Sequence, residues 1–165
     1  MPVFHRYLPQ PTFKAIALSG LGGFAAIAAL ALGSNETSLL LLMAPFGASC
    51  VLLFAAPSAP LSQPMNVIGG HLVASLTGLC LRLALPESWW ALALAVGLAI
   101  ALMVALRVTH PPAGADPLIV FATDPGFMFL LTPVLLGAVS LVGIAIVFHK
   151  LQGVAYPTPL PQRKS

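Results

Sequence analysis

Four stretches of this chain, Ala15–Leu32, Met65–Leu85, Trp89–Leu106 and Phe127–Phe148, are almost uninterruptedly apolar. Each reaches or exceeds the ~18 residues that a helix needs to cross a bilayer. Charged side chains make up 7% of the sequence and hydrophobic ones 59%, whereas a soluble domain carries about 25% charged residues. An ordinary water-facing surface cannot be built from this composition. The abundance of Leu, Ile, Val and Phe excludes disorder, and the sixteen prolines and fourteen glycines follow no collagen period. What remains is an all-α integral membrane protein with the lipid bilayer as its solvent. The net charge of +3 is then a topology signal, not a nucleic-acid footprint. Cys50 and Cys80 lie inside apolar runs and are expected as buried thiols, not a disulfide.

Two weaker segments complete a set of six. The second, Ser38–Ala56, is interrupted at Ala44-Pro-Phe-Gly-Ala-Ser49, and the fifth, Pro111–Thr123, has only 13 residues. As a helix the fifth would be about 20 Å long, short of the ~30 Å hydrocarbon core. The Trp89–Trp90 pair stands where an interfacial aromatic belt belongs, and Asp124-Pro125 reads as the N-cap and first turn of segment six. Residues 1–14 form an N-terminal segment, and the polar, proline-bearing residues 151–165 are expected to be a disordered tail. Arg6 and Lys14 ahead of Ala15–Leu32 also fit a cleavable signal peptide, but that run is needed by the repeat described below. Charge placement decides whether segment five crosses. With six crossings, Arg6, Lys14, Arg107, Lys150, Arg163 and Lys164 share one side and only Arg82 lies opposite. If segment five merely dipped in, the split would become three against four. The positive-inside rule favours six crossings, both termini cytoplasmic, in the plasma (inner) membrane.

A shift of 67 residues lays Pro45–Ala55 over Pro112–Ala122 with five identities in eleven positions, and it lays Gly70 on Gly137. Residues 15–85 and 86–150 thus read as two repeats of three crossings each. Because three is odd, the second is inverted relative to the first. Inverted repeats with interrupted helices in corresponding positions mark secondary transporters, since broken backbone at membrane depth is tolerated only against protein or a water-filled cavity. The two half-helix N-termini are expected to face each other, favouring a small anion.

Around those breaks lie the candidate binding residues: the Gly47, Ala48, Gly114 and Ala115 amides, Ser49, Asn66, His71 and His110. Pro111 pushes His110 into an extended conformation beside the break. There it either donates to an anion and takes a proton, or caps loose carbonyls of helix four. Asp116 precedes Pro117 and reads as an N-cap, as does its repeat partner Ser49. Alternatively, Asp116 and His110 are proton carriers coupled to transport. Asn66 bonds either between helices or to substrate, His71 is a core or pore polar group, and Gly69 and Gly70 allow close helix approach. Arg107 is expected to snorkel at the inner interface, with His5 and His149 interfacial. No nucleophile–base pair, phosphate loop or Cys/His metal spacing is present in the sequence, so neither enzymatic activity nor a metal or cofactor is expected.

Thr109-His-Pro-Pro-Ala-Gly-Ala115 resembles the defining motif of the HPP family of integral membrane proteins. The resemblance extends through Pro45–Phe54, Pro57–Pro64, Asn66–His71 and Phe129–Gly137, covering roughly residues 15 to 150. It implies four or more transmembrane helices and, from cyanobacterial and chloroplast members associated with nitrite uptake, transport of a small inorganic anion such as nitrite, with nitrate next. One position departs: many members carry Arg where this chain has Met65, which removes a cation near the proposed path. A passive anion channel and a non-transporting sensor or scaffold subunit are the alternatives, and so small a membrane protein is compatible with a homo-oligomer.

Overall fold

The computed structural model describes residues 8–159 and is helical throughout, with no strand among the described residues. Six α-helices follow in order: α1 Phe13–Thr37, α2 Pro45–Ala55, α3 Pro64–Ala84, α4 Trp89–Ala105, α5 Asp116–Thr123 and α6 Leu136–Leu151. By length and hydropathy three elements suffice to cross a membrane: α1, α3 and the kinked stretch Phe127–Leu151 that ends in α6. Their outer faces suit lipid, with Phe13 84%, Phe24 72% and Leu83 74% exposed.

Local chemistry sets the boundaries. Thr12 caps α1, its hydroxyl accepting from the Ala15 amide at 3.2 Å. Prolines take the first turns of α2, α3 and α5, where the missing N–H costs nothing. A 3-10 turn, Pro111–Ala115, runs directly into α5. His110 before it is extended (φ −137°, ψ 103°), as its position ahead of proline requires. The same rule operates at Thr132 (φ −138°, ψ 120°) ahead of Pro133. This breaks segment six, which the apolar pattern reads as one helix, into a 3-10 turn Phe127–Leu130, a π-like turn and α6.

Four expectations change. Asp124 does not begin helix six; it ends α5 in the left-handed region at φ 45°. In segment two the Pro-Phe-Gly-Ala stretch is the first turn of α2 and not a gap, because residues 38–43 before it carry the non-helical backbone. Cys50 is a buried free thiol, but Cys80 is exposed on α3. The tail is ordered as far as Pro159: the buried Tyr156 donates its hydroxyl to the Ser62 carbonyl at 2.9 Å, and the Thr158 amide donates to Gln63 Oε1 at 2.9 Å. His5, Arg6, Arg163 and Lys164 lie outside the described residues.

α3 is the hub, packing against α4, α5 and α6. Its inner face, Val67, Gly70, His71, Ala74, Ser75 and Gly78, is buried, with the three-and-four spacing of a helix stripe. α4 answers with Ala91, Ala95 and Ala99, which have no exposed surface; small side chains let apolar helices approach closely in lipid. The chain ends sort into two faces. The start of α1, the 56–63 loop, the Arg107–His110 stretch and the end of α6 meet at one. Arg82 and Asp124 pair at the other (3.1 Å), with Glu87 3.8 Å from Arg82.

The 67-residue shift of the sequence can be laid on the helices and their contacts. Shifted by it, Pro64–Ala84 falls on Leu131–Leu151, the span of the π-like turn and α6. The contacts exchange as well: α1–α2 matches α4–α5, α3–α4 matches α6–α1, and α3–α5 matches α6–α2. A Cβ placed on Gly70 would lie 2.9 Å from the Val108 carbonyl oxygen, and one on Gly137 2.7 Å from that of Leu41, the equivalent residue.

Candidate functional site: a buried histidine–serine–aspartate chain

Five polar side chains with no exposed surface, Ser49, His71, Ser75, His110 and Asp116, meet where α2, α3 and the Pro111–Ala115 turn cross. The Leu61 carbonyl accepts from His110 Nδ1 at 2.8 Å. His110 Nε2 lies 2.9 Å from Ser49 Oγ, which lies 3.0 Å from His71 Nε2. His71 Nδ1 then meets Asp116 Oδ2 at 2.9 Å, and the Ser75 hydroxyl donates to that same oxygen at 2.9 Å. One unbroken line of hydrogen bonds thus joins a loop carbonyl to a carboxylate.

Each member is placed by its element. His71 and Ser75 are four residues apart on α3 and share its inner face. Ser49 stands one turn into α2, where its hydroxyl also lies 3.3 Å from the Pro45 carbonyl. The bend ahead of Pro111 turns His110 inward, and Gly70 makes room for it: a Cβ there would come within 2.6 Å of the His110 Cβ. The Phe46 ring packs edge-on to His71 at 5.2 Å, and His71 is edge-on to His110 at 5.1 Å. Asp116 Oδ1 is buried without a hydrogen-bond partner.

Neither Ser49 nor Asp116 is a helix cap. Ala44 and Ala115 hold the N-cap positions, and the two side chains are spent on the histidine chain instead. His110 does not cap helix four; it is tied to the 56–63 loop. Asn66 is half-buried outside the chain, donating to the Thr109 carbonyl at 2.9 Å and so pinning the extended stretch. Gly47 and Ala48 face outward, and the Gly47 amide is engaged by the Ala44 carbonyl at 3.2 Å. Gly114 and Ala115 are half-buried in the 3-10 turn. His149, in the last turn of α6, is buried, donating Nε2 to the Leu53 carbonyl at 2.8 Å. Ser75 and the Leu61 carbonyl were not anticipated; a serine one turn beyond a histidine in an apolar helix was the available signal.

An all-helical bundle with apolar outer faces and a sealed polar chain inside defines an integral membrane protein. The transmembrane region of the HPP family matches residues 8–157, and the chain belongs to that family. It is similar to two transmembrane proteins of Dictyostelium discoideum. One is 36% identical over 86% of this chain and 54% of the relative; the other is 37% identical over 81% and 47%. The chain therefore spans about half the length of the curated relatives it matches. No solved structure matches it.

Proposed function

We propose that the chain is a membrane transporter of a small inorganic anion, nitrite foremost and nitrate next, that moves its anion together with a proton. The observation that carries this reading is Asp116, a carboxylate with no exposed surface at the start of α5, joined to α2 through His71 and Ser49. Ionisable groups at membrane depth are costly and mark ion or proton paths. The N-terminal ends of α2 and α5 favour an anion, and an ionised Asp116 opposes one. Two unit charges 4 Å apart repel by about 4 kcal/mol at an effective dielectric of 20. An anion is therefore accepted at this junction when Asp116 is neutral, and anion and proton travel as a pair. The choice of nitrite rests on the family resemblance.

Within this reading the chain makes six crossings in two inverted repeats, both termini cytoplasmic, in the plasma (inner) membrane. The crosswise contacts of Gly70 and Gly137 with equivalent carbonyls support a two-fold relation. An odd number of crossings per repeat makes the two antiparallel, an arrangement suited to alternating access. No enzymatic step is involved. The test is nitrite and nitrate uptake into proteoliposomes with the outside held acid, neutral or alkaline. The wild type should accumulate nitrite under an inward proton gradient, and Asp116→Asn should lose at least tenfold of that gradient-driven uptake. Gradient-insensitive flux rising linearly with nitrite would replace the proposal with a passive channel. Absence of flux would leave a sensor or scaffold.

A further inference from the structure

The hydrogen atoms of the buried chain can be counted, and the count is informative. A carbonyl oxygen only accepts, so His110 Nδ1, 2.8 Å from the Leu61 oxygen, carries a hydrogen. A neutral His110 then has a bare Nε2 that needs a donor, and the Ser49 hydroxyl is 2.9 Å away. That hydroxyl has a single hydrogen, and the Pro45 carbonyl at 3.3 Å is the poorer competitor for it. With it committed to His110, the 3.0 Å contact between Ser49 Oγ and His71 Nε2 must be donated by His71. His71 therefore carries a hydrogen on Nε2. On its other side one hydrogen lies between Nδ1 and Asp116 Oδ2, which are 2.9 Å apart. A hydrogen on Oδ1 would have no acceptor. Whether drawn as imidazolium–carboxylate or as imidazole–carboxylic acid, the pair holds one proton more than neutral imidazole with carboxylate.

We propose that His71 and Asp116 together form a single-proton site, filled in this closed arrangement and reached from the face that carries the 56–63 loop. For its place in a transport cycle this rests on the reading above; its chemistry does not. Removing the proton leaves two bare nitrogens, His71 Nε2 and His110 Nε2, competing for one hydroxyl hydrogen. One of two contacts of 2.9–3.0 Å then loses its hydrogen, and the Ser49 bridge must open. Proton loss is thereby coupled to a movement of α2, α3 or the His110 stretch. The direction of access follows from depth. Ser75, beside Asp116, lies eleven residues into α3, about 16 Å along its axis and near the middle of a ~30 Å core. The polar chain runs from there toward the loop. Toward the Arg82 end, Leu79, Val120 and Phe121 are buried hydrophobics.

Among the described residues no other titratable group competes with this pair. His71 is the titratable residue of the α3 inner face, and His110 that of the preceding turn; the α4 sequence contains none. On α2 the thiol of Cys50 lines a groove against α1. From α6, His149 is engaged by the Leu53 carbonyl at the far end of the helix.

Nitrogen-15 NMR of histidine-labelled wild-type protein in lipid nanodiscs reads the count directly, with His71→Gln and His110→Gln used for assignment. At neutral pH we expect His110 protonated on Nδ1 and bare on Nε2, with His71 protonated on Nε2. A bare His71 Nε2 overturns the proposal. Proton uptake between alkaline and neutral pH gives an independent reading: Asp116→Asn should bind one proton fewer per chain than the wild type over that range, and an unchanged count also overturns it. If the filled site is found but proteoliposomes carry no nitrite, the transport reading fails and the proton site stands. If nitrite flux follows the gradient with His71 Nε2 bare, transport stands and this site fails.

Discussion

At Ser49 a single hydroxyl serves two imidazoles, so its loss is felt by both. Ser49→Ala strands His71 Nε2 and His110 Nε2 in a site with no exposed surface, and a buried unpaired polar group costs about 1–3 kcal/mol. Ser75→Ala removes only one of two donors to Asp116 Oδ2; at about 1 kcal/mol it should be the milder change. Thermal unfolding in detergent should rank Ser49→Ala clearly below Ser75→Ala, and equal midpoints would mean that the Ser49 bridge is not formed. The chemistry-bearing residues are visible in the sequence as polar groups beside breaks; of the alternatives open for Ser49 and Asp116, the structure excludes the helix cap. Pro117 after Asp116 makes a cap plausible there and the 67-residue shift extends it to Ser49, but Pro45 already opens α2 four residues before Ser49. The 3-10 turn running into α5 likewise gives the N-cap position to Ala115 and makes Asp116 the first residue of the helix. The convergence of His71 and His110 depends on helix register across 39 residues of chain, which no local pattern encodes.

Among the glycines, the closest approaches to neighbouring backbone fall at Gly137 and Gly70. A Cβ on Gly70 would stand 2.6 Å from the His110 Cβ, and one on Gly137 would stand 2.7 Å from the Leu41 carbonyl. Overpacking of this kind costs about 1–3 kcal/mol. Gly70→Ala and Gly137→Ala should both lower the unfolding midpoint, with only the former disturbing His110. Gly97→Ala on α4 meets nothing within 4 Å and should be tolerated. If all three behave alike, helix propensity and not packing governs. The 67-residue shift is legible in the sequence because Pro-x-Gly-Ala and the glycines Gly70 and Gly137 stand at matching positions. The Thr132 kink was equally legible in principle, from the rule that placed His110, but the apolar run around Pro133 hid it. The strap formed by the C-terminal segment was not legible, because it depends on Tyr156 reaching Ser62 from 94 residues away. Burial pushes the Tyr156 phenol above its usual range, whereas in the unfolded chain it ionises near about pH 10. The native state thus keeps its proton to higher pH, so its contribution is complete below about pH 10 and lost as pH rises toward the folded value. Tyr156→Phe should lower the unfolding midpoint by a hydrogen bond's worth, about 1 kcal/mol, and this deficit should shrink above about pH 10. A deficit that does not vary with pH would show that the phenol titrates alike in both states.

Across the whole molecule, charge separates the two ends of the bundle. Lys14 and His149 line one cavity at the first end, and Arg107 lies beside the Val108–His110 stretch that meets the 56–63 loop. Arg82, Glu87 and Asp124 cluster at the other. The sorting of these residues to opposite ends could be read from the sequence because sparse charges in an apolar chain have few places to sit. The sequence could not say that the polar interior is lopsided. Under the 67-residue exchange Ser49 and Asp116 are partners, but His71 and Ser75 fall on Ala138 and Val142, both buried hydrophobics in α6. The chemistry is built on one side of the bundle, so the polar line leads from the Leu61 carbonyl at the basic end to Asp116 and stops. If positive charge marks the cytoplasmic side, that line opens inward and the acidic end faces out. Cysteine labelling decides the matter: with Cys50 and Cys80 replaced, a membrane-impermeant maleimide should modify Glu87→Cys on intact cells. Ser58→Cys, in the loop that holds His110, should be modified only after permeabilisation. Labelling of Ser58→Cys on intact cells would reverse the molecule in the membrane and put proton access on the outer face. Equal labelling of both positions on intact cells would mean that the two ends are not separated by a bilayer at all.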